Sequence, residues 1–104
     1  MKDIKVSNYN VFVDVEAELA RARQKFPKNE HLFAALTEEV EELSQVLLQH
    51  KYEPDKGKTP EDIYTKAIQV AVMAIRVATE GDHSFPGYDP ESTYRGRNWA
   101  KYRA

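Results

Sequence analysis

The run from Ala67 to Ala78 constrains this 104-residue chain more than any other stretch, because only Gln69 and Arg76 within it are strongly polar. A helix that is apolar over most of its circumference has to be buried over most of its circumference. It needs neighbours on more than one side. The chain has no cysteine, so no disulfide can supplement a thin core. Three helices of roughly 20 residues make only a marginal core and cannot easily surround a central one. The economical solution is a homo-oligomer in which the third helix, or its apolar face, packs between chains.

The start of that helix is explicit. Thr59 is a cap residue, Pro60 takes the first helical position, and Asp62 stands three after the threonine, as in a capping box. Gly81 suits its C-terminal end. Two helices precede it. Phe12, Val15, Leu19, Ala22 and Phe26 recur at steps of three and four, with Ser7 or Asn10 as cap and Pro27 as terminator. Leu32, Leu36, Val40, Leu43 and Leu47 form the second stripe, with Asn29 as the expected cap and fraying expected around His50 and Lys51. Residues 52–58 read as a loop. Pro86, Gly87, Pro90 and Gly96 interrupt the chain beyond Gly81, so 83–98 is expected to be irregular, with at most a short helix near Trp99. The expected fold is all-α: an antiparallel bundle of three long helices over residues 1–82, completed by oligomerisation. Residues 83–104 form an aromatic and basic tail packed on the domain or on a neighbouring subunit.

Charge narrows the partners. The chain has 15 Lys and Arg against 17 Asp and Glu, a formal charge of −2. Residues 91–104 hold Arg95, Arg97, Lys101 and Arg103 against Glu91 alone, beside Tyr94, Trp99 and Tyr102. That mixture suits packing on a neighbour or covering a bound nucleotide, and is too weakly basic for extensive nucleic-acid binding. No apolar run approaches the roughly 18 residues of a membrane span. The N-terminus has no signal-peptide core. The expected setting is cytoplasmic.

Glu38, Glu39, Glu41 and Glu42 sit in the middle of the second helix. Glu39 and Glu42, three apart, share a face at the rim of the apolar stripe. Two carboxylates aimed from there at a facing helix suit a hard cation such as Mg²⁺. The plainer meaning of such a run is a solvated acidic face.

The stretch from His31 to Leu43, with Glu38, Glu39 and Glu42 as a Glu-Glu-x-x-Glu motif, resembles the first motif of the all-α nucleotide pyrophosphohydrolases, the MazG-like superfamily. The stretch from Lys66 to Ala78 looks like the second-motif helix of its small, often phage-encoded members. The resemblance implies a helical fold assembling as dimers or tetramers. It also implies carboxylates from both motifs holding Mg²⁺ on the phosphates of a nucleoside triphosphate, with water attacking to release a monophosphate and pyrophosphate. Carried over, Glu39 and Glu42 are the metal ligands and Glu38 a supporting acid.

The second motif departs from the family's Glu-x-x-Asp. Here the positions are Lys66 and Gln69. Gln69 offers a neutral oxygen, and Lys66, while protonated, offers no acceptor. An ammonium about 4 Å from a divalent ion is repelled by up to about 8 kcal/mol at an effective dielectric near 20. Either Lys66 pairs with Glu39 or Glu42 as a structural ion pair, or it contacts phosphate itself in the metal's place. Asp62, one turn before Lys66, is a substitute ligand on paper and more simply a helix cap. Arg76, in an apolar helix, needs an anionic partner, either a carboxylate or a ligand phosphate. Arg21, Arg23 and Lys25 either reach phosphates or pair with nearby Glu residues. His31 reads as a surface residue rather than a base. Trp99 is a candidate lid residue.

These observations order three readings. The first is a nucleotide-binding protein, weakly or non-hydrolytic, of the kind a phage uses to sequester nucleotide signals of host defence. Its ligand, a triphosphate or a cyclic nucleotide, would meet Lys66, Gln69, Arg76, Arg23 and Trp99. The second is an active Mg²⁺-dependent pyrophosphohydrolase with Glu38, Glu39 and Glu42 as catalytic acids. The third is a helical protein-interaction module.

Overall fold

A computed structural model describes residues 7–96. Among them the chain is all-helical, with α1 at Asn8–Lys25, α2 at Leu32–Tyr52, α3 at Pro60–Glu80 and a short α4 at Pro90–Arg95. None of these helices is long and apolar enough to cross a membrane. Trp99 and the basic residues beyond Gly96 lie outside the described residues.

Local sequence sets the starts of α1 and α3. Ser7 caps α1 by accepting from the Asn10 N–H. Thr59 and Asp62 close a full capping box: the Thr59 hydroxyl accepts from the Asp62 N–H, and the Asp62 carboxylate accepts from the Thr59 N–H at 2.8 Å. Those bonds hold the Asp62 carboxyl below its usual value, which fits a capping role. Helix α2 runs to Tyr52, slightly past the expected fraying point, and Pro54–Lys56 forms a 3-10 turn in the following loop. The segment after Gly81 is less irregular than expected, because Asp89 caps α4 and Pro90 takes its first position.

The start of α2 differs from expectation. The helix begins at Leu32, not near Asn29, and the residue before it, His31, lies in the left-handed region with φ 62° and gives no side-chain cap. Asn29 instead donates its amide to the Glu80 carbonyl at 2.8 Å. The cap comes from beyond the far end of α3. Asp82 Oδ1 accepts from the His31 N–H at 3.0 Å, and Oδ2 accepts from the Phe33 N–H at 2.7 Å. Ser84 adds its N–H and hydroxyl to Oδ1. Gly81, at φ 72°, turns the chain so that Asp82 reaches back, and a Cβ there would come within 3.1 Å of Pro90 Cδ. Phe85 seals the junction edge-on against Phe33, ring centroids 5.1 Å apart.

Helix α3 is central. It packs against α1 on one side and α2 on the other, while α1 and α2 do not pack on each other. Val15 of α1 with Ile68 and Val72 of α3 make the core cluster, flanked by Val11, Leu19, Ala22 and Ile75. Leu32 and Val46 are the buried apolar residues of α2. The stripes are only partly used. Phe12 and Phe26 are exposed, and so are Val40 and Leu47 of the α2 stripe. Even α3 leaves Ala67, Ala74 and Ala78 exposed.

The Asp82 cap has a measurable consequence. Burial by itself would push the Asp82 carboxyl up, but the donors from Phe33, Ser84 and His31 outweigh it and hold the group well below 3.8. Asp82→Ala should lower the melting temperature at neutral pH by roughly 5–10 °C, from the lost cap. A carboxyl with a depressed folded value contributes fully above its unfolded value and loses that contribution as pH falls toward the folded one. The gap between wild type and variant in thermal melts should therefore narrow below about pH 4.

Candidate functional site

Because α1 and α2 do not meet, a cleft opens between them over one face of α3. It encloses a cavity of about 550 Å³, within the range of small-molecule sites. Lys66, Gln69, Val72, Met73 and Arg76 of α3 form its floor, at the three- and four-residue steps of a single helix face. Glu38 and Glu39 line it from α2, and Glu18, Arg21 and Lys25 from α1. Phe26, Lys28, Glu30 and His31, from the segment joining α1 to α2, close one end.

Lys66 and the acidic pair are brought together. The Lys66 ammonium donates to Glu42 Oε1 at 2.5 Å and stands 3.6 Å from Glu39 Oε2. Its hydrogen bond to Glu42 holds it above the ordinary 10.5, against the opposing effect of burial and with added attraction from Glu39. The stability this contributes is complete below the unfolded value and is lost as pH rises through the raised one. The ion pair with Glu42 and Glu39 open in the sequence is present. Glu39 Oε2 and Gln69 Oε1 are buried without a hydrogen-bond donor.

Mg²⁺ does not fit this arrangement. The carboxylates that would hold it face an ammonium, and among the described residues no three His, Asp or Glu converge in a metal-holding group.

Arg76 is buried, with 1% of its side chain exposed, and its partner is a carboxylate. It donates to Glu80, one turn on, at 2.9 Å, and to the Lys28 carbonyl at 3.4 Å. Arg23 donates to the same Glu80 at 2.7 Å and does not line the cavity. Arg76, ahead of the cost of burial and with help from Arg23, holds the Glu80 carboxyl below its usual value. Arg76 therefore shapes the cavity wall and fixes the connecting segment through Lys28. Arg21 is paired with Glu18 at 2.7 Å. Lys25, 5.4 Å over the Phe26 ring, and Lys28 have no carboxylate partner among the described residues. Glu38 lines the cavity beside Glu39, whereas Glu42 reaches only the Lys66 side.

Sequence reasoning missed Lys28 and Asp82. Lys28 had no signal, since it lies in a connecting segment whose path depends on the Asp82 cap. Asp82 gave only a weak one, its position directly after a helix-ending glycine.

No family model matches the chain, and no curated protein or solved structure shows a significant match to it. Function is therefore read from the residues and their geometry.

Lys66→Glu tests the electrostatic reading of the floor. It replaces the ammonium with a third carboxylate beside Glu39 and Glu42. The variant should melt below wild type in the absence of metal. It should regain several degrees in millimolar Mg²⁺, as a newly formed site binds. Wild type should show no such Mg²⁺ response in the same melts.

Proposed function

We propose that the cavity between α1 and α2 binds a nucleotide, a triphosphate or a cyclic form, without a divalent metal and with little or no hydrolysis. The observation that carries this is Lys66, set between Glu39 and Glu42 on the cavity floor. An internal cation there offsets half of the charge of the acidic pair that would otherwise repel an anionic ligand, and it occupies the place a hydrolytic metal would need. Lys25 and Lys28 are the cations at one end without a carboxylate partner among the described residues, and they suit phosphate oxygens. Phe26 and Met73 supply aromatic and apolar surface for a base. The resemblance of Glu38, Glu39 and Glu42 to the first MazG-like motif supports a nucleotide over other phosphorylated ligands. Binding without turnover suits sequestration of a nucleotide signal in the cytoplasm. The working unit in this reading is a dimer or tetramer, since five buried apolar residues among those described make a small core for one chain.

Calorimetric titration with nucleoside triphosphates and cyclic mono- and dinucleotides in EDTA should show binding by at least one of them. Joint Lys25→Glu and Lys28→Glu substitution should weaken that binding at least tenfold, two phosphate contacts being reversed. Chromatography should recover the ligand intact after incubation with Mg²⁺. Release of monophosphate and pyrophosphate only with Mg²⁺ would overturn the metal-free reading in favour of hydrolysis. Silence across the panel would overturn nucleotide binding itself and leave the interaction module.

A further inference from the structure

The cavity is lined by two acceptors that the described residues do not satisfy. Glu39 Oε2, on α2, and Gln69 Oε1, on α3, are both buried, and neither meets a donor there. A buried acceptor without a donor is costly, so a bound molecule that supplies the missing hydrogens is favoured at such a place. Both residues border the cavity. The terminal torsions of Glu and Gln are broad, so a small turn brings each oxygen to the cavity surface. A donor stands beside them. The Lys66 ammonium gives one hydrogen bond to Glu42 Oε1, lies 3.6 Å from Glu39 Oε2, and carries three protons in all. Lys66 and Gln69, three apart on α3, are neighbours on one helix face.

We infer that Lys66, Glu39 and Gln69 read the Watson–Crick edge of guanine. The inference rests on the nucleotide reading of the cavity and narrows it to guanine nucleotides. Guanine alone among the common bases sets two donors, N1–H and the 2-amino group, side by side next to an acceptor, O6. Lys66 and Glu39 are neighbours, as O6 and N1–H are, and Gln69 takes the 2-amino group. The bond from N1–H to Glu39 is charge-assisted, which makes it the strongest of the three. Adenine and cytosine bring a single amino donor beside a ring acceptor, so one oxygen of the pair stays unmet. Uracil brings one N–H between two carbonyls, and one of those carbonyls would face Gln69 Oε1. Met73, one turn beyond Gln69 on the same floor, offers apolar surface for the ring. Lys28 is tied through its carbonyl to Arg76, seven residues along α3 from Gln69, or roughly 10 Å. A base edge at Gln69 therefore leaves the length of a nucleoside before the phosphates reach Lys28.

Calorimetric titration of the full chain in EDTA tests it, with triphosphates and cyclic mono- and dinucleotides of guanosine, inosine, adenosine and uridine. The guanosine forms should bind at least tenfold tighter than the adenosine and uridine forms. They should bind about tenfold tighter than the inosine forms, which lack only the 2-amino group. Gln69→Met, similar in volume but without the acceptor, should bring guanosine binding down to the inosine level and leave inosine binding unchanged. Its helix signal and melting temperature check that it folds. Equal wild-type affinity for guanosine and inosine forms would overturn the assignment. So would a preference for uridine, which would put the Gln69 amide N–H at the base edge. Binding without base preference would overturn guanine recognition and leave nucleotide binding standing. Silence across the panel would overturn both.

Discussion

The carboxylate of Asp82 ties together three parts of the molecule. It satisfies backbone donors at the start of α2, fixes the turn that leaves α3, and holds His31 in a left-handed conformation that an L-residue adopts at a cost of about 1–2 kcal/mol. With Asn29 tied to the Glu80 carbonyl and Lys28 to Arg76, the segment between α1 and α2 is pinned along its length to the C-terminal end of α3. That pinning sets the end wall of the cavity. A free linker would leave Lys28 and His31 without a defined relation to the floor.

The cavity comes from a packing choice. A three-helix bundle closes its core when each helix touches both others, and here α1 and α2 touch only α3. The face of α3 that turns toward the gap is the one carrying Lys66, Gln69 and Arg76, which a closed apolar core could not accommodate without partners. Each of the two cations has carboxylates: Glu80 for Arg76, Glu42 and Glu39 for Lys66. The Arg76 pair is structural, locking wall to linker. The Lys66 pair borders open space, and its one positive charge offsets half of the charge of Glu39 and Glu42.

Elements whose signals are local in the chain were legible from sequence. Ser7 with Asn10 and Thr59 with Asp62 are each three apart, so the starts of α1 and α3 were readable before any fold was known. The start of α2 was not, because its cap lies about 50 residues away and acts on backbone groups that have no identity in the sequence. Periodicity identified the apolar faces but not what covers them, so Phe12, Val40 and Leu47 read as core and stand exposed. Of the site, the pairing of Lys66 with Glu39 or Glu42 was one of two partners open in the sequence, a phosphate being the other. Glu80 as the partner of Arg76 was available at four residues' distance and left open only because a ligand phosphate would serve equally well. For Arg23 a phosphate and a nearby Glu were both open in the sequence, and in the fold it pairs with Glu80. The role of Lys28 depends on tertiary pinning and had no sequence signature.

The proposed binding of an anion rests on the charge state and surroundings of the Lys66 ammonium. Side-chain NMR of the Lys66 Nζ, recorded through an alkaline titration, reports both directly. If the ammonium sits between Glu39 and Glu42 in solution, it should titrate above the ordinary lysine value of 10.5, and in Glu42→Gln that value should move back down. A Lys66 that titrates at or below 10.5 in the wild-type protein, unmoved by Glu42→Gln, would show that the ammonium is not held by the acidic pair and would contradict the central claim.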